Sequence, residues 1–120
     1  MRFGDLGWLS LAAAVFAAGC AVNLAPDEQL AAANKAIQQA ARAQPAQEPS
    51  PQLAIAREKF ALAHRFMEAR DYQPARWLAE QSAVDAELAA MKVMSARARA
   101  AAAEATAQFR REAAAYRAAS

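Results

Sequence analysis

Apolar residues recur at three- and four-residue intervals along most of this chain, and the interruptions fall at prolines. In PDEQLAAANKAIQQAARA, Leu30, Ala33, Ile37 and Ala40 share one helical face, while Lys35, Gln38, Gln39 and Arg42 mostly occupy the rest. Pro26, Asp27 and Glu28 suit a helix start, because acidic side chains are favoured at the positive end of the helix dipole. The pattern predicts a first helix over about residues 27–43. It stops at QPAQEPSPQ, residues 44–52, where three prolines within seven residues cannot lie in a helix interior.

Ser50 and Pro51 read as an N-cap followed by a first-turn proline, and a second helix is expected over about 51–70. Its seam is Leu53, Ala56, Phe60, Ala63 and Met67. Ile55, Leu62 and Phe66 form a flanking face, so this helix is expected to touch more than one neighbour. RDYQP, residues 70–74, is the next break, with Asp71 as candidate N-cap and Pro74 tolerated in the first turn. A third helix over 72–118 carries Trp77, Leu78, Val84, Leu88, Met91, Val93 and Met94. Its second half has only Phe109 and Tyr116 among alanines and arginines. At about 1.5 Å per residue it spans roughly 65 Å. A turn near Tyr72 makes helices two and three an antiparallel hairpin, which places Phe66 near Trp77 and Phe60 near Val84. Beyond Ala90 to Met94 the third helix must project alone, pack on the first helix, or find a partner.

Composition strengthens the all-α expectation. The chain is 57% hydrophobic, yet its mean hydropathy is −0.07, because alanine supplies about a third of its 120 residues. Alanine is the best helix former but buries little area, so the core is expected to be modest. The expected architecture is a coiled-coil-like bundle: a helical hairpin with a long third helix, plus the shorter N-terminal helix. A net charge of +2 points to no dominant polyanion partner. Six cations from Lys92 to Arg117 against Glu104 and Glu112 bias the C-terminal helix towards an anionic envelope polymer or lipid headgroup.

Chemistry is sparse. Asp85 and Glu87 point about 200° apart on a helix and cannot act as an acid–base couple. Asp85 lies at the edge of the apolar seam, where it can fix register or pair with an Arg or Lys of helix two. His64, the single histidine, reads as a packing or surface residue. Glu58 and Glu80 are within conceivable reach of Arg76 or Lys59. No glycine-rich phosphate loop or Ser-His-Asp set is present. We expect no catalytic residue, no metal, no cofactor and no enzyme.

The N-terminus bears on location. Leu6 to Ala18 is an uncharged run of thirteen residues, short of the roughly 20 needed to span a bilayer. It suits the apolar region of a secretory signal, with Arg2 ahead of it. Ala17, Ala18 and Gly19 then lead into Cys20, the single cysteine. This stretch resembles a bacterial lipobox, although leucine is usual where Ala17 stands. The resemblance implies a signal peptide over 1–19, diacylglyceryl and acyl chains such as palmitate on Cys20, and a lipidated tether over 20–26. The helical domain then covers 27–120. Ala21 after the cysteine favours the periplasmic face of the outer membrane over the inner membrane. A small-x-small cleavage site can be drawn through the same alanines, and that would leave an exported chain without lipid. An exported chain does not meet nucleic acid.

EKFALAHRFMEARDYQPARWLAEQSAVDAELAA carries Glu58-Lys59-Phe60, Asp71-Tyr72, Ala75-Arg76-Trp77-Leu78-Ala79-Glu80-Gln81 and Asp85-Ala86-Glu87-Leu88-Ala89. With DEQLAAANKAI upstream, it resembles a family of small, alanine-rich bacterial envelope lipoproteins built on a domain of unknown function. The resemblance marks Asp71, Tyr72, Ala75, Leu78, Gln81, Asp85 and Leu88 as signature positions and lends no reaction. Ser82 stands where the family usually has alanine, a change that disturbs nothing obvious. Some larger members place such a segment before an OmpA-like, peptidoglycan-binding domain. These 120 residues contain none, so that activity is not carried over.

Two readings compete. One is a lipid-anchored scaffolding module whose three-four seams associate, with a homo-oligomer or a protein partner in view. The other is a single TPR-like hairpin adaptor for a periplasmic protein, resting on Ala63, Phe66, Tyr72 and Ala75. It is weakened because stable arrays need about three repeats.

Overall fold

The computed structural model describes residues 24–45 and 50–120. Ala17, Ala18, Gly19, Cys20 and the signal segment lie outside the described residues, as do positions 46–49 of the proline linker. The described residues are all-α: α1 is Asp27–Ala43, α2 is Pro51–Glu68 and α3 is Tyr72–Ala119.

Side-chain ties fix the topology. Arg76, early in α3, donates to the carbonyl of Leu24 at 2.9 Å, and Arg97 donates to the carbonyl of Ala43 at 2.6 Å. Helix α1 therefore runs parallel to the first half of α3. Helix α2 runs antiparallel to both: Ala63 clusters with Leu30, Leu78 and Ala79, while Leu53 and Ala56 cluster with Ala40, Ala86 and Ala89; Ser82 is bonded to Ala56 and Asp85 to Lys59. The start of α1 and the α2–α3 turn share one end of the bundle, and the end of α1 and the start of α2 lie at the other. Arg97 also neutralises the last orphan carbonyls of α1, where a cation is favoured.

The core is built mainly of alanine. Ala33, Ala40, Ala56, Ala63, Ala75, Ala79, Ala86 and Ala89 are fully buried. One cluster joins Leu30, Ala33, Ala63, Leu78 and Ala79, with Phe60, Phe66 and Met67 against it. The other joins Ala36, Ile37, Ala40, Leu53, Ala56, Ala86 and Ala89. On α3 the buried positions Ala75, Ala79, Ser82, Ala86 and Ala89 alternate by four and three, the spacing of a coiled-coil seam. Small side chains there let helix axes approach to about 8 Å.

This corrects the expected hairpin interior. Trp77 is 59% exposed and Val84 63%, and Leu88, Met91 and Met94 also face outward. Phe60 and Phe66 pack on the alanine side instead, against the cluster that holds Leu78 and Ala79. The reason is steric. Both α1 and α2 must close on α3, and only its narrow stripe admits two neighbours at once. Removing the Trp77 ring therefore costs what a surface position costs, not what a core ring costs. The flanking face of α2 is likewise left open at Ile55 and Leu62. Pro26, expected in the tether, is fully buried.

Two turns show local logic. Ser50 accepts from the Leu53 amide at 3.4 Å, capping α2. At the other end Arg70 sits in the left-handed region, with φ 58°. The Arg70 amide donates to Met67 at 3.0 Å and the Asp71 amide to Phe66 at 2.9 Å, a Schellman pair that ends α2 at Glu68. Asp71 occupies the N-cap of α3 but makes no side-chain cap bond. Pro74 stands three residues on, where a cap would find one of the two amides open to it, and proline has no N–H. Past Arg97 the helix projects: from residue 98 to 119 every side chain is exposed except a half-buried Ala113.

Arg70→Gly should raise stability by about 0.5–1 kcal/mol, because glycine takes positive φ without the Cβ penalty. Urea unfolding should show a higher midpoint at unchanged slope. Ala86→Leu should lower stability by about 1–3 kcal/mol through overpacking, read in the same titration.

Candidate functional site

The outer face of the hairpin is where unsatisfied surface collects. Heptad spacing on α3 continues beside the buried seam as a second stripe: Trp77, Gln81, Val84, Leu88 and Met91. Facing it across the hairpin are Ile55, Lys59 and Leu62 of α2, each a helical step apart. Between the two lies an open groove of about 440 Å³, lined by Lys59, Trp77, Glu80, Gln81, Val84 and Asp85.

Across the groove Lys59 Nζ meets Asp85 Oδ2 at 2.6 Å, with side chains 31% and 23% exposed. Asp85 thus has the cationic partner on helix two that its position called for. Glu58 and Glu80 are not paired with Arg76 or Lys59; Arg76 serves the Leu24 carbonyl instead. His64 is exposed, its ring set edge-on to Phe60 at 4.7 Å. Among the described residues no group of three His, Cys, Asp or Glu is placed to hold a metal ion. The groove can bind an apolar or helical surface; Lys59 offsets Asp85, and Glu80 leaves it slightly acidic.

The signature positions divide between two jobs. Ala75 and Leu78 are buried in the bundle, and Tyr72 is half-buried at the first turn of α3. Gln81 and Asp85 line the outer groove, and Leu88, at 38% exposure, lies on the outer stripe. Ser82 was the position whose weight the sequence hid. It is fully buried and donates to the Ala56 carbonyl at 2.6 Å, a polar tie inside an apolar seam. Its signal was its place in the heptad run Ala75, Ala79, Ser82, Ala86.

A family model described as Domain of unknown function (DUF4398) matches residues 28–105, which contain the bundle and the start of the projection. The chain belongs to the DUF4398 family. Among solved structures, the crystal structure of a DUF4398 family protein from Pseudomonas aeruginosa PAO1 is similar, with 33% sequence identity and a TM-score of 0.68. The likeness covers 73% of this chain and 91% of that one. No curated protein matches this chain. The family description names no activity.

A double-mutant cycle on Lys59→Met and Asp85→Asn should give a coupling of about 0.2–1 kcal/mol, the range of a partly exposed pair. The coupling should shrink in high salt.

Proposed function

We propose that this DUF4398 protein is a non-enzymatic, lipid-anchored scaffolding module of the bacterial envelope. It is held at Cys20 on the periplasmic face of the outer membrane. The observation that supports this most is how the chain enters the bundle. Leu24 is tied to Arg76 and Pro26 is buried, so the polypeptide is packed onto the helices within a few residues of Cys20. An acyl anchor there would hold a rigid body by the end that carries the α2–α3 turn. A single acyl chain binds membranes only marginally, whereas three chains on one cysteine make attachment effectively permanent. No helix of the described residues is long and apolar enough to cross a membrane, so attachment through Cys20 needs no spanning segment in the bundle. The exposed arginines of the projecting helix can add attraction to anionic lipid or polymer. A TPR-like adaptor is the weaker reading, since α3 has 48 residues against 18 in α2 and α1 packs along it.

Intact mass of the membrane-extracted protein tests the anchor. A chain beginning at Cys20 with diacylglyceryl and acyl mass is the expected result. Cys20→Ala should move the protein out of the membrane fraction with its helical circular dichroism unchanged. A native chain without lipid mass would overturn the reading.

A further inference from the structure

The outer stripe does not stop where the groove stops. After Trp77, Gln81, Val84, Leu88 and Met91 the same alternation of four and three continues through Ser95, Ala98, Ala102, Ala105, Phe109, Glu112 and Tyr116. Phe109 and Tyr116 are 71% and 79% exposed, so the projecting half of α3 carries its large residues on the same seam. A heptad seam kept this long is the mark of helices that pair.

We propose that the occupant of the groove is a second copy of this chain. The two copies exchange antiparallel, and the projecting half of each α3 lies as a fourth helix against the α2–α3 hairpin of the other. The inference goes beyond the anchoring reading and does not need it.

The seam is its own complement when reversed. Read backwards it has the same spacing, so two antiparallel copies superpose position on position about a point between Ser95 and Ala98. Trp77 then lies opposite the second copy's Tyr116, and Val84 opposite its Phe109. Leu88 meets Ala105 and Met91 meets Ala102, a wide residue against a narrow one each time. Gln81 meets Glu112 and can donate its amide to that carboxylate. A parallel pair in register sets Glu112 against Glu112.

Charge and length agree with this direction. Along α3 the half before Ala96 carries Glu80, Asp85 and Glu87 against Arg76 and Lys92, which leaves it slightly acidic. The projecting half carries Arg99, Arg110, Arg111 and Arg117 against Glu104 and Glu112. Antiparallel pairing brings the acidic half to the basic half. Residues 98–119 make about 33 Å of helix, and α2 makes about 27 Å, so the projection fits the length of the hairpin it would cover. Reciprocal docking engages about 20 residues on each side, which is the usual size of a stable interface. The two N-terminal ends would emerge roughly 60 Å apart, so an acylated dimer would lie along the bilayer.

Cysteine crosslinking of the full chain in whole cells, read on the total chain, tests the arrangement. Leu88→Cys and Ala105→Cys in one chain sit about 25 Å apart on one helix, so a disulfide involving both must join two copies. With the unsubstituted chain as background for Cys20, the double variant should shift to twice the chain's mass under mild oxidation. Each single variant should stay at background. A dimer from Leu88→Cys alone means parallel pairing and overturns the proposal. So does the absence of any dimer. Light scattering of the unsubstituted full chain in detergent is a second readout that does not depend on the variants folding. A dimer mass that falls to monomer in Phe109→Glu is expected, and a monomer for the unsubstituted chain refutes the exchange. Neither readout depends on lipid at Cys20, so loss of the anchor cannot be mistaken for loss of the dimer.

Discussion

Everything in this molecule depends on the close approach that alanine permits along one stripe of α3. Ala75, Ala79, Ser82, Ala86 and Ala89 present almost no bulk, so α1 and α2 can both close on the same helix. Each contact buries little area and contributes little by itself. The bundle compensates by running the seam over nearly the whole of both short helices and by adding polar ties at fixed heights. Arg76 and Arg97 hold the two ends of α1, and Ser82 holds the middle of α2. Such ties set register, which a row of near-identical alanines cannot do alone.

The same constraint explains the surface. With the narrow stripe turned inward, the wide residues of α3 have nowhere to go but out: Trp77 and Val84 line the groove, and Leu88 and Met91 are exposed beyond it, as are Ile55 and Leu62 of α2. A monomer seldom leaves so continuous an apolar strip uncovered without a use for it. The groove offers shape, an internally neutral Lys59–Asp85 pair and no reactive group.

Much of this was legible in the sequence. The proline elbow, the start of α1 at Asp27 and the buried face Leu30, Ala33, Ile37 and Ala40 follow from spacing and capping chemistry. The family was also readable, and so was the kind of partner Asp85 would take. Three things were not. Ranking residues by hydrophobicity sends Trp77 and Val84 inward, whereas the need to admit two neighbours selects alanine. Ser82 looks silent until Ala56 is brought against it. Asp71 has the right identity for a cap but makes no cap bond, and Pro74 removes one of the two amides open to it. Each failure is a case of tertiary geometry overriding a local preference.

Hydrogen exchange along α3 tests the central claim most directly, since it reads both stripes in one helix. If the alanine seam builds the bundle and the outer seam pairs two copies, amides from residue 75 to 93 should be strongly protected at any concentration. Amides from residue 98 to 116 should be protected at high concentration and lose that protection on dilution. A projecting half that exchanges fast at every concentration would contradict the account, and so would weak protection around Ala79 to Ala89.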